Sequence, residues 1–305
     1  MKEPILTIGI PTYNRPNSIV KTVRALLPQL NDLVVLRVWD NCSDIPVVDL
    51  FTEEEKKKFT IARNKANIGG DANIAGCIYH ASTKWVWTLG DDDIPNNEAV
   101  KTILYYIETF PQELYFKFGS TIDRETNCLQ DLAEMCRIRY FYSNLLFISN
   151  SVYNRDLLCN EIVDYYTNIS FMNGQVVFLL KHLEKKDERC LFVSKNILME
   201  HGMDIGWNYN TVIKRSLYIM ELFPSQRKLF NKTIYAGMAF SYYHAIFFSK
   251  MLTTKEQFYL FAYLLKRIGV VNTIRYNHGV IIQFLSKILL PNSLYLKIKT
   301  IYKRG

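Results

Sequence analysis

The sequence predicts an α/β fold, with a mostly parallel central sheet flanked by helices and a helical C-terminal region. Three observations carry this. Apolar, β-branched runs alternate with helical stripes through residues 1–120, the pattern of βαβ units with right-handed crossovers. Four of those runs are followed directly by polar clusters, and in a parallel sheet such ends share one edge, where open α/β folds place ligands. From Thr211 onward the pattern changes to aromatic helical stretches separated by lysines and arginines.

The elements follow in order. Ile5 to Ile10 is a short β-branched run ended by Pro11, a buried strand, and Pro11 to Pro16 is a loop. Asn17 or Ser18 caps a helix whose apolar positions 19, 20, 23, 26, 27 and 30 form one stripe. Leu33 to Trp39 is the second strand and Phe59 to Ala62 the third. A helix from about Asp71 to Ala81 leads to the fourth, which starts at Trp85, and a helix from about Asn96 to Thr109 precedes a fifth at Leu114 to Phe118. Residues 121–143 read as polar and irregular. Leu145 to Ser149 reads as a strand, Asn154 opens a helix, another helix surrounds Met172 to Phe178, and Cys190 to Met199 is a last strand. The domain reading is 1–210 for the α/β part and 211–305 for the helical region.

Composition sets limits on function. With 305 residues, 49% apolar and 22% charged, the chain can bury a sizeable core and is not disordered. Six cysteines with no Cys-x-x-Cys pair indicate neither a zinc site nor a disulfide framework, and predict reduced, mostly buried thiols. No charged-then-apolar leader and no run of 18 apolar residues is present, so the expectation is a cytoplasmic protein without a spanning helix. The net charge of +8 comes from dispersed lysines and arginines with no nucleic-acid motif, which disfavours nucleic acid as partner.

The stretch Trp85-Val86-Trp87-Thr88-Leu89-Gly90-Asp91-Asp92-Asp93 organises the rest. An apolar strand would bring three carboxylates to the sheet edge, with Asp91 and Asp93 on one face and Asp92 on the other by strand alternation. Adjacent carboxylates repel unless a cation intervenes, and a hard divalent ion such as Mg²⁺ or Mn²⁺, carrying phosphates, suits them. An acidic turn capping the next helix is the plainer alternative. The other strand ends supply Thr12-Tyr13-Asn14-Arg15, Asp40-Asn41-Cys42-Ser43-Asp44, and Asn67 with Gly69-Gly70. Together these suggest a nucleotide pocket with a metal. The absence of Gly-x-Gly-x-x-Gly and of Gly-Lys-Ser/Thr argues against a dinucleotide site or a P-loop.

Ile10-Pro11-Thr12-Tyr13-Asn14-Arg15, Trp39 to Asp44, Asn67-Ile68-Gly69 and Leu89-Gly90-Asp91-Asp92-Asp93 resemble, in order and spacing, the family 2 glycosyltransferases of the GT-A fold. The resemblance covers about residues 4–120. The Gly-Asp-Asp-Asp form is most similar to bacterial O-antigen or capsule sugar transferases, including abequosyltransferase-like members. The resemblance implies a nucleotide-sugar-binding half at 1–120 and an acceptor-side half at 121–210. It implies that Thr12, Tyr13 and Arg15 border the base and phosphate, that Asp40 binds the base or ribose, and that Asn67 and Gly69 line the nucleotide side. Pro11, Asn14, Asn41 and Asp92 complete the donor-binding set. Asp91 and Asp93 take the Asp-x-Asp role, with Asp93 the direct metal ligand and Asp91 nearer the ribose. The implied donor is a nucleotide-sugar, with UDP the expected nucleoside, and the implied cofactor is Mn²⁺ or Mg²⁺.

An inverting transferase needs a base for the acceptor hydroxyl. Relatives often carry a Glu-Asp pair at the start of the relevant helix. Here that position holds Gln175, which leaves Asp156 or Asp164 as the base, a different mechanism, or a retaining enzyme. A first-turn helix residue is the plain reading of Asp156. His201, after the last strand, resembles a third metal or diphosphate contact, and an ordinary structural histidine is the alternative. Residues 202–210 read as a flap over the donor or as a plain polar loop. A nucleotidyltransferase is the competing enzyme class, although the first loop lacks its glycines, and a sugar-nucleotide-binding subunit without a base is the non-enzyme alternative.

Residues 211–305 read as an amphipathic set that contacts a membrane surface, which suits a lipid-linked glycan acceptor at the inner face of the cell membrane. A helical appendage or homo-oligomer interface gives the same stripes.

Overall fold

The computed structural model describes residues 3–138, 140–171, 173–200, 213–215, 217–235, 242–243, 246–248 and 252–303. Compactness divides the chain into two units, residues 1–129 with 144–206, and residues 130–143 with 207–305.

The first unit is built on an eight-stranded sheet. Its strands are β1 (Leu6–Thr12), β2 (Val34–Asp40), β3 (Thr60–Arg63), β4 (Trp85–Thr88), β6 (Tyr115–Lys117), β7 (Arg124–Thr126), β8 (Ser151–Asn154) and β9 (Cys190–Phe192), in the order β3-β2-β1-β4-β8-β6-β9-β7. β1 lies between β2 and β4, parallel to both, with Leu6 opposite Val34 and Trp85. β8 runs antiparallel between β4 and β6. A small antiparallel pair joins β5 (Ile94–Pro95) to β10 (Leu198–Glu200). Helices α1 (Pro16–Leu26), α2 (Glu53–Lys56), α3 (Gly70–Tyr79), α4 (Ala99–Thr109), α5 (Leu129–Met135), α6 (Phe141–Leu146), α7 (Arg155–Leu158), α8 (Ile162–Thr167) and α9 (Gly174–Leu183) connect the strands.

The sequence explains the core. All four residues of β4 are buried, as the unbroken run Trp-Val-Trp-Thr requires of a strand covered on both faces. Trp85 stacks on Phe116 at 4.9 Å between centroids. In α1, Ile19, Val23 and Leu26 pack inward with Leu6, Ile8 and Ile10 of β1. Gly9 is needed for close approach, since a Cβ there would sit 2.8 Å from Cys77 Cβ on α3. All six cysteines are free, and Cys77, Cys136 and Cys190 are buried.

Two expectations are corrected. The run Leu145 to Ser149 is not a strand: α6 extends to Leu146, a 3₁₀ turn covers Ile148–Asn150, and the strand lies at Ser151–Asn154. Short apolar runs do not separate helix from strand by periodicity. Residues 121–143 are not irregular throughout, because they contain β7, α5 and the start of α6.

In the second unit, a helix at Thr254–Ile268 opens with a capping box, Thr253 and Glu256 bonding each other's backbone N–H. Helices at Val270–Leu289 and Asn292–Lys303 follow. Among the described residues no helix is long and apolar enough to cross a membrane.

Replacing Gly9 by alanine is expected to destabilise the protein by about 1–3 kcal/mol through overpacking against α3. Urea denaturation followed by circular dichroism checks this, and an unchanged midpoint would mean that α3 can yield at no cost.

Candidate active site

β4 ends at Thr88, and its chain continues through buried Leu89 to a turn, in which Asp93 N–H meets Gly90 O at 3.3 Å. The three aspartates therefore lie beyond the strand, and strand alternation does not orient them. The turn still buries Asp91 and Asp93, at 6% and 4% exposure, and leaves Asp92 nearer solvent.

Each buried carboxylate is held from elsewhere in the chain. Thr12 Oγ1 donates to Asp91 Oδ2 at 2.6 Å. Arg15 Nη1 bridges Asp91 Oδ1 at 3.1 Å and Asp92 Oδ2 at 2.7 Å. Thr22 Oγ1 donates to the Asp91 carbonyl at 2.9 Å. Ser149 Oγ donates to Asp93 Oδ2 and accepts from Gly90 N–H at 2.8 Å. A Cβ at Gly90 would lie 2.8 Å from Asp93 Oδ2 and 3.0 Å from Ser149 Oγ, so a larger residue there would push on this pair. Burial pushes the Asp91 carboxyl above the usual aspartate range, although Thr12 and Arg15 oppose the shift.

The loops on the β1–β2 side form a cleft of about 200 Å³ lined by Thr12, Asn14, Arg15, Pro16, Ile19, Ser43, Asp44, Ile45, Val47 and Leu50. Pro11 belongs to β1 opposite Trp39, and Tyr13 is 42% exposed. Asn14 takes a positive φ of 53° and clasps the opposite loop, with its Nδ2 donating to Asp44 at 3.1 Å and its Oδ1 accepting from Asp44 N–H at 2.8 Å. Asp40 is 1% exposed, and its carboxylate accepts from Ser43 N–H at 2.8 Å, Val47 N–H at 3.3 Å and the Arg63 guanidinium. Despite the cost of burial, these bonds hold its pKa below the usual range. Here Asp40 shapes the loop from beneath.

An asparagine network joins the ends of β2 and β3 to α3. Asn41 Nδ2 donates to Asn67 Oδ1 at 2.8 Å, while Asn41 Oδ1 accepts from Asn64 at 2.9 Å and Ile68 N–H at 3.0 Å. Asn64 also donates to Asn73 at 3.0 Å. Asn67 Oδ1 accepts from Gly69 N–H at 2.9 Å, and Gly69, with φ of 90°, is the residue before α3.

The segment bearing Ser149 is anchored beneath. Trp87 Nε1 donates to Ser149 O at 2.7 Å. Lys117 is fully buried, and burial drives its amine well below the usual lysine range. Its Nζ donates to Phe147 O and to Ser151 Oγ at 3.0 Å. Gln175, buried in the first turn of α9, donates to Leu146 O at 2.9 Å, so it approaches this same segment. Its Oε1 finds no hydrogen-bond partner.

The other two base candidates lie elsewhere. β8 pairs Asn154 with Trp85 and Ser151 with Thr88, so Asp156, following Asn154, sits at the opposite sheet edge from Asp91–Asp93. Its side chain is 59% exposed and 3.8 Å from Arg155. Asp164 lies 4.0 Å from Lys185, past the C-terminal end of α9, whereas Gln175 is at the N-terminal end. Neither aspartate is gathered with the acidic turn. His201 and residues 202–210 lie outside the described residues.

The sequence reading missed Thr22, Arg63, Asn64, Asn73, Lys117 and Ser149. A lysine within the apolar strand at 115–117 was the one visible signal; the others are ordinary polar residues on helices and loops until the fold brings them in.

A largely parallel α/β sheet with an acidic turn and polar loops at one edge is an architecture that presents a ligand site at the strand ends. Residues 7–141 match the family Glycosyl transferase family 2. Residues 7–141 therefore carry a family 2 glycosyltransferase domain. Among solved structures the chain is similar to Staphylococcus aureus TarS 1–349, with a TM-score of 0.64 and 13% identity over 99% of this chain and 92% of that one. The complex of TarS 1–349 with UDP-GlcNAc gives 0.62 and 11% over 99% and 92%. The mannosyltransferase PcManGT from Pyrobaculum calidifontis, in complex with GDP-Man and Mn²⁺, gives 0.52 and 12% over 98% and 87%. At these identities the likeness is one of fold. No curated protein matches the chain in sequence.

Ser149→Ala strips the turn of one charge-assisted bond and leaves Gly90 N–H without its acceptor. The expected loss of stability is about 1–3 kcal/mol in urea denaturation. A variant as stable as the parent would mean that Ser149 does not hold the turn.

Proposed function

We propose that the enzyme transfers a sugar from a nucleoside diphosphate-sugar, with UDP as the expected nucleoside, to a saccharide acceptor in bacterial surface polysaccharide assembly, of the O-antigen or capsule kind. The acceptor is expected to be lipid-linked, with the enzyme working at the inner face of the membrane. The observation that carries the donor reading is the buried acidic turn, braced by Thr12, Arg15, Thr22 and Ser149 at the edge where the β1 and β2 loops open a cleft. UDP-GlcNAc in TarS and GDP-Man in PcManGT support a nucleotide-sugar as donor.

The residues fit a hard divalent ion. Asp91 and Asp93 offer buried carboxylate oxygens of the type Mg²⁺ and Mn²⁺ take. Among the described residues no group of three or more His, Cys, Asp or Glu converges, so an ion here would have to take its remaining ligands from substrate phosphate and water. Such an ion would act as a Lewis acid on the leaving diphosphate. The Arg15 guanidinium, already beside Asp91 and Asp92, adds positive charge at the same edge. Asn14, Tyr13 and the loop shaped by Asp40 would border the nucleoside.

Gln175 is the acceptor-side residue nearest the Ser149 segment by its bond to Leu146. Its amide cannot take a proton, but its unpaired Oε1 can accept a hydrogen bond from an acceptor hydroxyl and so orient it. The base is then a group other than Gln175, Asp156 or Asp164.

Two outcomes test this reading. Thermal stabilisation by UDP with Mn²⁺ should appear in the parent and vanish with EDTA, and Asp93→Ala should lower turnover by at least about 100-fold. Near-normal turnover in that variant would sink the metal assignment. The second outcome concerns pH. An acid whose folded pKa is raised costs stability once ionised, and that cost disappears as pH falls below its folded value. A cation on Asp91 offsets the cost, so Mn²⁺-dependent stabilisation should be present at neutral pH. It should be lost as pH falls through a value above the ordinary aspartate 3.8. A loss confined to lower pH would exclude Asp91 as a ligand.

A further inference from the structure

The helix Val270–Leu289 buries Val280 and stacks Phe284 on Phe247 at 4.1 Å, yet much of its exposed side is apolar. Its polar residues Thr273, Asn277, Gln283 and Ser286 are buried, at 0%, 1%, 8% and 5% exposure. Its apolar residues Val271, Ile274, Leu285 and Leu289 are 77%, 58%, 47% and 71% exposed. With Ile282 these fall on one helical face, beside exposed Arg275 and His278. A helix packed on a soluble core does the reverse. Asn277 is buried with neither polar side-chain atom hydrogen-bonded, so the orientation is not chosen to satisfy the polar face. In the following helix, Asn292–Lys303, Leu294 and Leu296 are also about half exposed.

Charge identifies the occupant. After Glu256 the chain has eight lysines and arginines and no aspartate or glutamate, while the first 256 residues hold 29 basic and 29 acidic side chains. Residues 257–305, which include both helices, thus hold eight positive side chains and no negative one. A second copy bound through the same face would set two such uniformly positive surfaces against each other, as a two-fold interface must. A spanning helix is ruled out for the described residues by length and polarity. An anionic bilayer surface answers both features, accepting apolar side chains at the acyl boundary and cations among its headgroups.

We propose that the helices Val270–Leu289 and Asn292–Lys303 dock on the surface of a bilayer containing anionic phospholipid. Val271, Ile274, Leu285 and Leu289 enter the acyl boundary, and Lys297 and Lys299 meet the headgroups. The proposal rests on the lipid-linked acceptor reading for its purpose, while the contact itself is read from the exposed face and the charge.

Flotation of the full chain with vesicles of equimolar phosphatidylglycerol and phosphatidylcholine, and with phosphatidylcholine alone, tests it. The parent should float with the anionic vesicles and not with the neutral ones, and added salt should release it. Lys297→Glu with Lys299→Glu, and separately Ile274→Glu with Leu285→Glu, should each weaken vesicle binding by at least about tenfold. UDP–Mn²⁺ stabilisation should persist in both double variants, which separates failure of docking from failure of the transferase reading. Folded parent protein that stays out of the anionic vesicles would overturn the proposal. So would a dimer that Ile274→Glu with Leu285→Glu splits while vesicle binding is unchanged, for that assigns the face to a second copy.

Discussion

Two carboxylates buried at the end of one strand are the constraint on which the rest of the α/β unit depends. An unpaired buried carboxylate is costly, and the protein pairs both carboxylates and pins the Asp91 carbonyl with hydrogen bonds from three distant parts of the chain. Thr12 and Arg15 follow β1, Thr22 comes from α1, and Ser149 comes from the 3₁₀ turn before β8. The strand order brings these together, because β4 lies directly between β1 and β8. Even so, desolvation leaves Asp91 with a raised pKa. The turn is therefore held in place at some electrostatic cost.

The neighbouring loops are fixed by a different means. Asp40 is consumed by two backbone amides and Arg63, and Asn41, Asn64, Asn67 and Asn73 bond one another. Asn14 and Cys42 adopt positive φ values of 53° and 67°, a conformation that costs energy for a side-chain-bearing residue and persists where surrounding bonds dictate it. A cleft built this way needs little reorganisation when a ligand arrives. Beneath the acidic turn, the buried amine of Lys117, its pKa lowered by desolvation, plays the same part for the 147–151 segment by donating to the Phe147 carbonyl and Ser151 Oγ.

The C-terminal helices follow another logic. They contribute no acidic group and expose leucine, isoleucine and valine among lysines. The two units differ in charge: the α/β unit, residues 1–129 with 144–206, holds 20 basic and 25 acidic side chains, and the positive excess lies in the other unit.

The sequence by itself determined the α/β class, the strands at the heart of the sheet, and the loops that meet at its edge. Those signals are local: apolar runs of strand length, breaks at Pro11 and Gly69-Gly70, and the consecutive aspartates 91–93. Tertiary structure decided what periodicity cannot encode. Whether Leu145 to Ser149 is strand or turn depends on Ser149 reaching Asp93, a contact across 56 residues. Whether Asp156 or Gln175 lies toward the acidic turn depends on β8 running antiparallel to β4, which sends Asp156 to the far edge. That the apolar face of Val270–Leu289 points outward follows from which side finds a core to pack on, because an amphipathic stripe reads the same in sequence whichever way it is turned.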